Sequence, residues 1–312
     1  MNKQITSQKC NFERRRFLRH MMLAAGIASF NPRLLAAPTG LISKKIPSSN
    51  EPLPVIGMGS WQTFDVGNDE FALPVRLNIL KTFFNMGGAI IDSSPMYGNS
   101  EKVIGYCLES LKNKQALFSA TKVWVHGQWM GKQQMKQSRY LWGVENFDLM
   151  QIHNLLDWQV HLPTLKEWKK QGKIRYIGVT TSHGRRHTEL ERILQKESLD
   201  FVQFTYNIID REVEQRLLPL AAELGIAVII NRPFQGGRLF NYVKNKKLPS
   251  WTKEFDCENW AQFFLKFIVS HPQVTCAIPA TSQVAHMQEN MGACYGRLPD
   301  AKMRQQMIEY FG

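Results

Sequence analysis

The chain has 312 residues, of which 44% are hydrophobic and 21% charged, a composition typical of globular proteins that bury a large core. Its net charge of +13 points first to a nucleic-acid or membrane partner, but residues 1–37 hold seven Lys and Arg against one Asp or Glu. The remainder carries only +7, in short basic runs without interleaved aromatic residues, so we expect no nucleic-acid partner.

The first 37 residues follow the order of an export signal. Arg14 and Arg15 open a basic cluster, an apolar stretch follows at residues 21–30, and residues 35–37 offer small side chains for cleavage. The cluster resembles the twin-arginine export motif, and the apolar stretch is far shorter than the ~20 residues of a membrane-spanning helix. We predict a twin-arginine (Tat) type signal peptide, contact with that export machinery, a periplasmic location and no stable membrane anchor. A disordered basic tail is the alternative.

A polar lead-in segment at residues 38–54 precedes a regular alternation of short apolar runs and longer stretches of helical period, which is typical of a parallel sheet. The predicted strands are residues 55–58, 89–92, 116–122, 147–153, 174–179, 201–204, 227–230 and 275–278. The predicted helices are residues 74–85, 100–111, 133–142, 163–171, 186–195, 213–224, 258–270 and 284–295. Loops that line a pocket are expected at residues 125–130 and 235–249.

Eight such units predict an α/β fold, a single-domain (β/α)8 TIM barrel over residues 55–312. Gly residues at the expected ends of helices, such as Gly172 and Gly225, support the boundaries between helix and strand. A doubly wound open sheet is the main alternative, but the first strand is not followed by the Gly-x-Gly-x-x-Gly turn that marks a nucleotide site in that fold.

Polar residues that close apolar strands are the candidates for catalysis, because catalytic groups project from the carboxyl ends of barrel strands. Asp92, Lys122 and His153 each end a predicted strand, and Tyr97 lies in the loop after Asp92. Each alone has an ordinary structural explanation, such as capping or solvation. A barrel would bring all four to one rim.

Together these four side chains suit carbonyl reduction, which needs a proton donor beside the carbonyl oxygen. A phenol has a reference pKa of ~10 and must become more acidic to act at neutral pH. The ammonium of Lys122 would stabilise the phenolate of Tyr97, and Asp92 would hold that ammonium in place. His153 would orient the carbonyl oxygen or share in the proton transfer.

The segment at residues 88–101, GAIIDSSPMYGNSE, resembles the signature of the aldo-keto reductase family. The resemblance covers essentially the whole chain beyond residue 44. Lys122 and His153, at the ends of the next two strands, complete the catalytic tetrad of that family. The resemblance implies that Tyr97 is the acid and that Asp92 and Lys122 support it, with His153 as the orienting group. The implied activity is NAD(P)H-dependent reduction of an aldehyde or ketone to an alcohol.

Residues 54–61 resemble the opening strand of the same family, whose loop reaches the cofactor and the substrate. The resemblance implies that Ser60 contacts the cofactor and that Trp61 lines the substrate pocket, with core packing as the alternative for Trp61. Trp124 is predicted in the same pocket.

Further cofactor contacts are implied on later strands. Gln203 matches the glutamine that binds the nicotinamide carboxamide, and Thr180 and Thr181 stand in place of a Ser-Asn pair. Asn231 occupies a position where many relatives stack an aromatic ring on the nicotinamide. The adenosine end is expected at four residues, Thr281, Ser282, Glu289 and Asn290.

Two departures from the family pattern bear on the choice of cofactor. Ala280 stands where relatives often carry a Lys, and His286 where they often carry an Arg, both of which grip the 2′-phosphate. Hydroxyl and backbone N–H groups nearby could still bind phosphate. We expect NADPH, with NADH as the alternative.

A different class of function stays open, because fold does not determine function: an exported nucleotide-binding or regulatory module without turnover. The complete tetrad favours the enzyme. We expect a small-molecule carbonyl substrate and a monomer. No metal site is expected, since the widely spaced cysteines lack zinc spacing and indicate buried thiols. These are Cys107, Cys257, Cys276 and Cys294.

Overall fold

The computed structural model describes residues 40–111 and 116–311. The predicted signal, residues 1–37, lies outside these ranges. Within them, a short hairpin precedes one eight-stranded sheet that is surrounded by helices. No helix of the described ranges is both long and apolar enough to cross a membrane.

The large sheet is a parallel barrel in which each strand pairs with the next one along the chain. In chain order the strands are β1 (Ser43–Lys45) and β2 (Pro52–Pro54), which form the hairpin, then β3 (Met58–Gly59), β4 (Ile90–Asp92), β5 (Phe118–Val123), β6 (Phe147–Ile152), β7 (Ile174–Thr180), β8 (Phe201–Thr205), β9 (Ala227–Asn231) and β10 (Cys276–Ala277). Single parallel bridges from Ile56 to Ala277 and from Gly59 to Ala280 close the seam between the first and last barrel strands. The predicted (β/α)8 barrel is confirmed, and the open-sheet alternative is wrong.

The helices surround the barrel. They are α1 (Ala72–Asn85), α2 (Ser100–Ser110), α3 (Gln128–Trp142), α4 (Trp158–Lys170), α5 (His187–Lys196), α6 (Leu217–Glu223), α7 (Arg238–Val243), α8 (Trp260–Val269), α9 (Val284–Gly292) and α10 (Ala301–Phe311). Helices α7 and α10 are not among the eight predicted from the sequence. The two expected pocket loops are also partly helical, since α3 begins at Gln128 and α7 lies within residues 235–249.

The described part of the lead-in segment contains the β1–β2 hairpin, residues 43–54, which closes one end of the barrel and is called the hairpin plug below. Ile46 and Leu53, which flank the turn of the hairpin, are buried among side chains that point into the barrel. Glu51 in the same turn pairs with Arg175 and accepts a hydrogen bond from Tyr176, both at the start of β7. The hairpin therefore covers the amino ends of the strands and leaves the carboxyl ends for the site.

All four cysteines of the described ranges are free and buried, as the sequence predicts. Burial raises the pKa of Cys107, Cys257 and Cys294 to about 12. These thiols are therefore protonated at neutral pH and pack as small apolar side chains.

Candidate active site

The carboxyl ends of the barrel strands surround a cavity of about 1000 Å³. The predicted residues that line it are Ser60, Trp61, Asp92, Tyr97, His153, Thr180, Gln203, Asn231, Thr281, Ser282, Glu289 and Asn290. Lys122 is fully buried beside the cavity, Thr181 is buried and does not line the cavity, and Trp124 is a partly exposed neighbour of His153. The barrel thus gathers residues that are distant in sequence at one end.

A buried ion pair forms the floor of the site. Strands β4 and β5 are adjacent, so Asp92 and Lys122 project side by side, and the Lys122 Nζ lies 2.5 Å from Asp92 Oδ2. Lys122 also donates to the backbone oxygen of Ser93 at 2.8 Å. Burial acts to lower the pKa of Lys122, but attraction to Asp92 and Tyr97 outweighs it and raises that pKa. Lys122 is therefore a fixed cation.

The second oxygen of Asp92 is held by two amides. Asp92 Oδ1 accepts from Gln151 Nε2 at 2.9 Å and from Gln203 Nε2 at 3.1 Å. Gln151 is not among the residues predicted from the sequence, although a polar residue within the apolar strand β6 is a signal that it faces a polar neighbour. These amides hold the carboxylate in place below the cavity.

Tyr97 is half-buried on the cavity wall, and its ring centroid lies 5.3 Å from Lys122 Nζ. Burial raises the pKa of the Tyr97 hydroxyl, and Lys122 opposes that effect without cancelling it. The influence of Lys122 therefore has the sign that the sequence predicts, but burial is larger. The phenol holds its proton at neutral pH, as a proton donor must.

His153 packs edge-to-face against Tyr97, with ring centroids 5.6 Å apart. Burial and the nearby Lys122 lower the pKa of His153 to about 2, so the imidazole is neutral. A neutral ring has no imidazolium proton to give. Of the two roles that the sequence leaves open, the structure thus favours orienting the carbonyl oxygen by a hydrogen bond.

Several of the predicted cofactor residues are bonded within the protein. The hydroxyl of Ser60 donates to Ser93 Oγ at 2.8 Å, and the hydroxyl of Thr180 accepts from the Asn154 N–H at 2.9 Å. Asn231 Nδ2 donates to the backbone oxygen of Thr181 at 2.9 Å. The planar amide of Asn231 is thereby held in one orientation beside the cavity. The buried Thr181 hydroxyl has no hydrogen-bond partner within the described part of the chain.

The opposite side of the cavity is formed by the loop after β10 and by α9. Thr281, Ser282, Glu289 and Asn290 all line it. In that stretch the Thr281 hydroxyl accepts from the backbone N–H of Gln283 at 3.1 Å. The predicted adenosine-end residues thus border one continuous space with the tetrad, although the 280–290 segment contributes no Lys or Arg.

Basic side chains from other loops also line the cavity. Arg232, directly after β9, and Arg185 and His183, after β7, line the wall and are not predicted from the sequence. No carboxylate of the described residues forms an ion pair with either arginine, and burial followed by repulsion from Arg238 lowers the pKa of Arg232. The sequence feature that could have indicated Arg232 is its position at the end of a strand.

The residues that the structure describes, 40–111 and 116–311, contain no cluster of His, Cys, Asp or Glu suited to a metal ion.

Comparison with known proteins decides the family. The model of the aldo/keto reductase family matches residues 55–307. The chain belongs to the aldo/keto reductase family. The resemblance seen in the sequence is therefore confirmed, and with it the assignment to a family of carbonyl oxidoreductases.

Two similar proteins come from Escherichia coli K12. Methylglyoxal reductase YeaE is 26% identical over 261 residues, which cover 82% of this chain and 90% of the relative. An NADH-specific methylglyoxal reductase is 26% identical over 242 residues, which cover 66% of this chain and 72% of the relative.

Solved aldo-keto reductase structures share the fold. The holo form of an aldo-keto reductase from Bacillus halodurans has a TM-score of 0.72 at 20% identity, covering 87% of this chain and 96% of that one. An aldo-keto reductase from Klebsiella pneumoniae, solved in complex with NADPH, has a TM-score of 0.71 at 20% identity with the same coverage. At this identity the likeness supports the barrel alone.

Proposed function

We propose that this aldo/keto reductase reduces an aldehyde or ketone to an alcohol with a nicotinamide cofactor, and that Tyr97 donates the proton. One observation carries the proposal: Tyr97 lines the cavity with its ring centroid 5.3 Å from Nζ of the fully buried Lys122, which is itself ion-paired with Asp92. That arrangement holds a proton in the resting state and offers a positive charge to the phenolate that remains when the proton has left.

The cavity has the chemistry that a dinucleotide needs. Amides at Gln203 and Asn231 lie near the tetrad, and hydroxyls at Thr281 and Ser282 lie at the far side. Dinucleotides carry a negative diphosphate, and Arg232 and Arg185 both line the cavity wall, where no carboxylate of the described residues forms an ion pair with them. These residues fit the cofactor: the amides would hold the nicotinamide end, the guanidinium groups the phosphates and the hydroxyls the adenosine end.

The residues of this chain then carry out the acid half of the reaction. A reduced nicotinamide, when bound, supplies a hydride to the carbonyl carbon. The Tyr97 hydroxyl gives its proton to the carbonyl oxygen, so the C=O π bond is replaced by one C–H and one O–H bond. Lys122 stabilises the resulting phenolate until Tyr97 regains a proton from solvent. His153 holds the carbonyl oxygen against Tyr97 by a hydrogen bond.

NADPH is our first choice of cofactor and NADH the alternative. A structurally similar reductase binds NADPH, and a relative of comparable length is NADH-specific. Both relatives from Escherichia coli act on methylglyoxal, so a small 2-oxoaldehyde is the first substrate to test. The exposed side chains of Trp61 and Trp124 near the cavity also suit an apolar group on the substrate.

We further propose that residues 1–37 direct export by the twin-arginine route and that the protein works in the periplasm as a monomer. The order of arginine pair, apolar stretch and small residues supports the signal. This route carries folded proteins, so the enzyme could leave the cytoplasm with its cofactor bound. Cell fractionation with native mass spectrometry tests the idea, since a cytoplasmic location or an exported protein that is always free of nucleotide would contradict it.

Titration of the purified full-length protein with NADPH and NADH, followed by turnover assays on a panel of carbonyl compounds, tests the proposed activity. We expect micromolar binding of at least one nucleotide and reduction of small aldehydes. Binding without turnover of any carbonyl would instead support the nucleotide-binding module, and failure to bind either nucleotide would contradict both functions.

A further inference from the structure

Ser94 lies two residues after Asp92 in the loop that leads to Tyr97, and it is fully buried. Its hydroxyl oxygen is 2.7 Å from Nδ1 of His153. The same oxygen accepts the backbone N–H of Met96 at 3.2 Å. Ser94 is therefore bonded on one side to its own loop and on the other to the imidazole beside the proposed proton donor.

The direction of the hydrogen bond between Ser94 and His153 follows from the donors and acceptors around the Ser94 hydroxyl. The Ser94 hydroxyl has one proton, and His153 Nδ1 is its only acceptor among the described residues. If Nδ1 carried the proton instead, Ser94 would accept twice and its own O–H would be buried without a partner. A buried donor without a partner destabilises the folded protein, because it gives up its hydrogen bond to water without a replacement, so Ser94 donates and Nδ1 is unprotonated.

The protonation of the other ring nitrogen, Nε2, follows from the neutral charge of the imidazole. Because the imidazole is neutral and Nδ1 is an acceptor, the single ring proton is on Nε2. Nε2 has no partner within the described ranges, and His153 lines the cavity. The Nε2–H group of His153 is therefore free to donate a hydrogen bond to a ligand in the cavity.

We propose that Ser94 is a positioning residue that holds His153 in the Nε2–H tautomer and in one ring orientation, so that Nε2–H donates a hydrogen bond to the carbonyl oxygen of the substrate. The proposal rests on the proposed carbonyl reductase function. The carbonyl oxygen then meets two donors, the Tyr97 hydroxyl and His153 Nε2–H, and both act on the charge that develops there. The reverse tautomer would place a lone pair against that oxygen.

The tautomer is measured directly by two-dimensional NMR of the full-length protein with ¹⁵N-labelled histidine. The long-range correlations show which ring nitrogen carries the proton, and the His153 signals are assigned by their absence from a His153→Gln variant. We expect only the Nε2–H pattern for the wild type at pH 6–8. Ser94→Ala is expected to give a mixture of tautomers, and Ser94→Thr, which keeps the hydroxyl, to restore the wild-type pattern.

Ser138→Ala is the matched control, because it also removes one buried serine hydroxyl, here bonded to Glu101 at 2.8 Å and not to His153. It should leave the His153 pattern unchanged. An Nδ1–H tautomer in the wild type, or an unmixed Nε2–H pattern in folded Ser94→Ala, would overturn the proposal.

Steady-state kinetics of Ser94→Ala test whether the tautomer of His153 affects carbonyl reduction. For a carbonyl that the wild type reduces, Ser94→Ala should lower kcat/KM roughly tenfold while the Kd for NADPH changes less than about twofold. A loss of turnover without any change of tautomer would assign Ser94 a merely structural role and overturn the inference. Should the wild type reduce no carbonyl, the NMR result still decides the tautomer, so failure of the proposed function is recognised separately.

Discussion

At the scale of single residues, the site depends on the balance between burial and charge at Tyr97. Burial opposes loss of the proton, whereas Lys122 favours it. In this structure the effect of burial is the larger, and the phenol stays protonated. A developing charge on the carbonyl oxygen draws the proton away, and only then does the nearby ammonium stabilise the phenolate. This order suits an acid that must give up its proton only in the transition state.

Arg232 provides a prediction about nucleotide binding. Because its guanidinium group lies on the cavity wall without an ion-paired carboxylate from the described chain, we expect it to contact a phosphate of the cofactor. Arg232→Ala should raise the Kd for NADPH by about tenfold or more, since a hydrogen bond to a charged group contributes roughly 1.5–3 kcal/mol. Fluorescence titration at low and high salt measures this, and the variant should show the weaker salt dependence.

Arg192→Ala is the control for that titration. Arg192 is exposed on α5 and does not line the cavity, so the variant loses the same charge without losing a wall group. If both variants weaken NADPH binding equally, the effect comes from net charge alone and Arg232 has no specific phosphate contact.

The residues of the site differ in how far the sequence predicts them. Asp92, Lys122 and His153 are visible because each closes an apolar run, and a strand end is a place that a barrel exposes to the site. Gln151 has only a weak signal, a polar residue within an apolar strand, and Ser94 has none, because the partners of both side chains are distant in sequence. Such partners are known only when the register of neighbouring strands is known.

Among the elements, α10 is attached to the barrel mainly through Arg304. From α10 it donates to the Tyr206 hydroxyl at 2.7 Å and to the backbone oxygen of Phe267, and its guanidinium lies 4.4 Å from the Phe267 ring centroid. It also pairs with Glu214 at 3.1 Å. One mostly buried side chain thereby joins α10 to the residue that follows β8, to α8 and to the turn before α6.

Removal of Arg304 should therefore loosen α10. We expect Arg304→Ala to lower the free energy of unfolding by about 2–4 kcal/mol, because several buried partners lose a charged donor. Arg297→Ala is the matched control: Arg297 pairs with Asp256 at the surface, where solvent screens the attraction and an ion pair contributes little to stability. Urea denaturation with hydrogen exchange of α10 compares them, and equal losses for the two variants would contradict this role of Arg304.

Strands and helices are predicted correctly where the sequence has strong periodicity. The prediction fails where tertiary contacts determine the local structure. The central strands are recovered within a residue or two, because both faces are buried and apolar. The hairpin is missed, since β1 and β2 have three residues each and are ordered by the barrel beneath them. Pro163 suggests a helix start, but it lies within α4, which begins at Trp158.

At the scale of the whole molecule, the barrel separates stability from chemistry. The hairpin plug closes the amino ends of the strands, while the tetrad and the cavity occupy the carboxyl ends. Substitutions in the plug should therefore affect unfolding without affecting the reaction, and substitutions at the cavity should do the reverse.

Leu53→Ala tests this division. Leu53 is 1% exposed in the interior cluster, so the variant leaves a void and should lower the free energy of unfolding by about 2–5 kcal/mol. Its kcat/KM at a temperature below unfolding should stay within about twofold of the wild type. Leu224→Ala makes the same substitution at a residue that is 43% exposed and should change little. A large loss of kcat/KM in folded Leu53→Ala would show that the two ends are coupled.

The turnover of Tyr97→Phe shows whether Tyr97 is the proton donor of the proposed reaction. Tyr106→Phe, which removes a hydroxyl from an exposed ring on α2, is the control. We predict that Tyr97→Phe lowers kcat/KM for carbonyl reduction by about 10²–10⁴-fold, with the Kd for NADPH within about twofold of wild type. A Tyr97→Phe variant that retains full turnover would contradict the proposed mechanism.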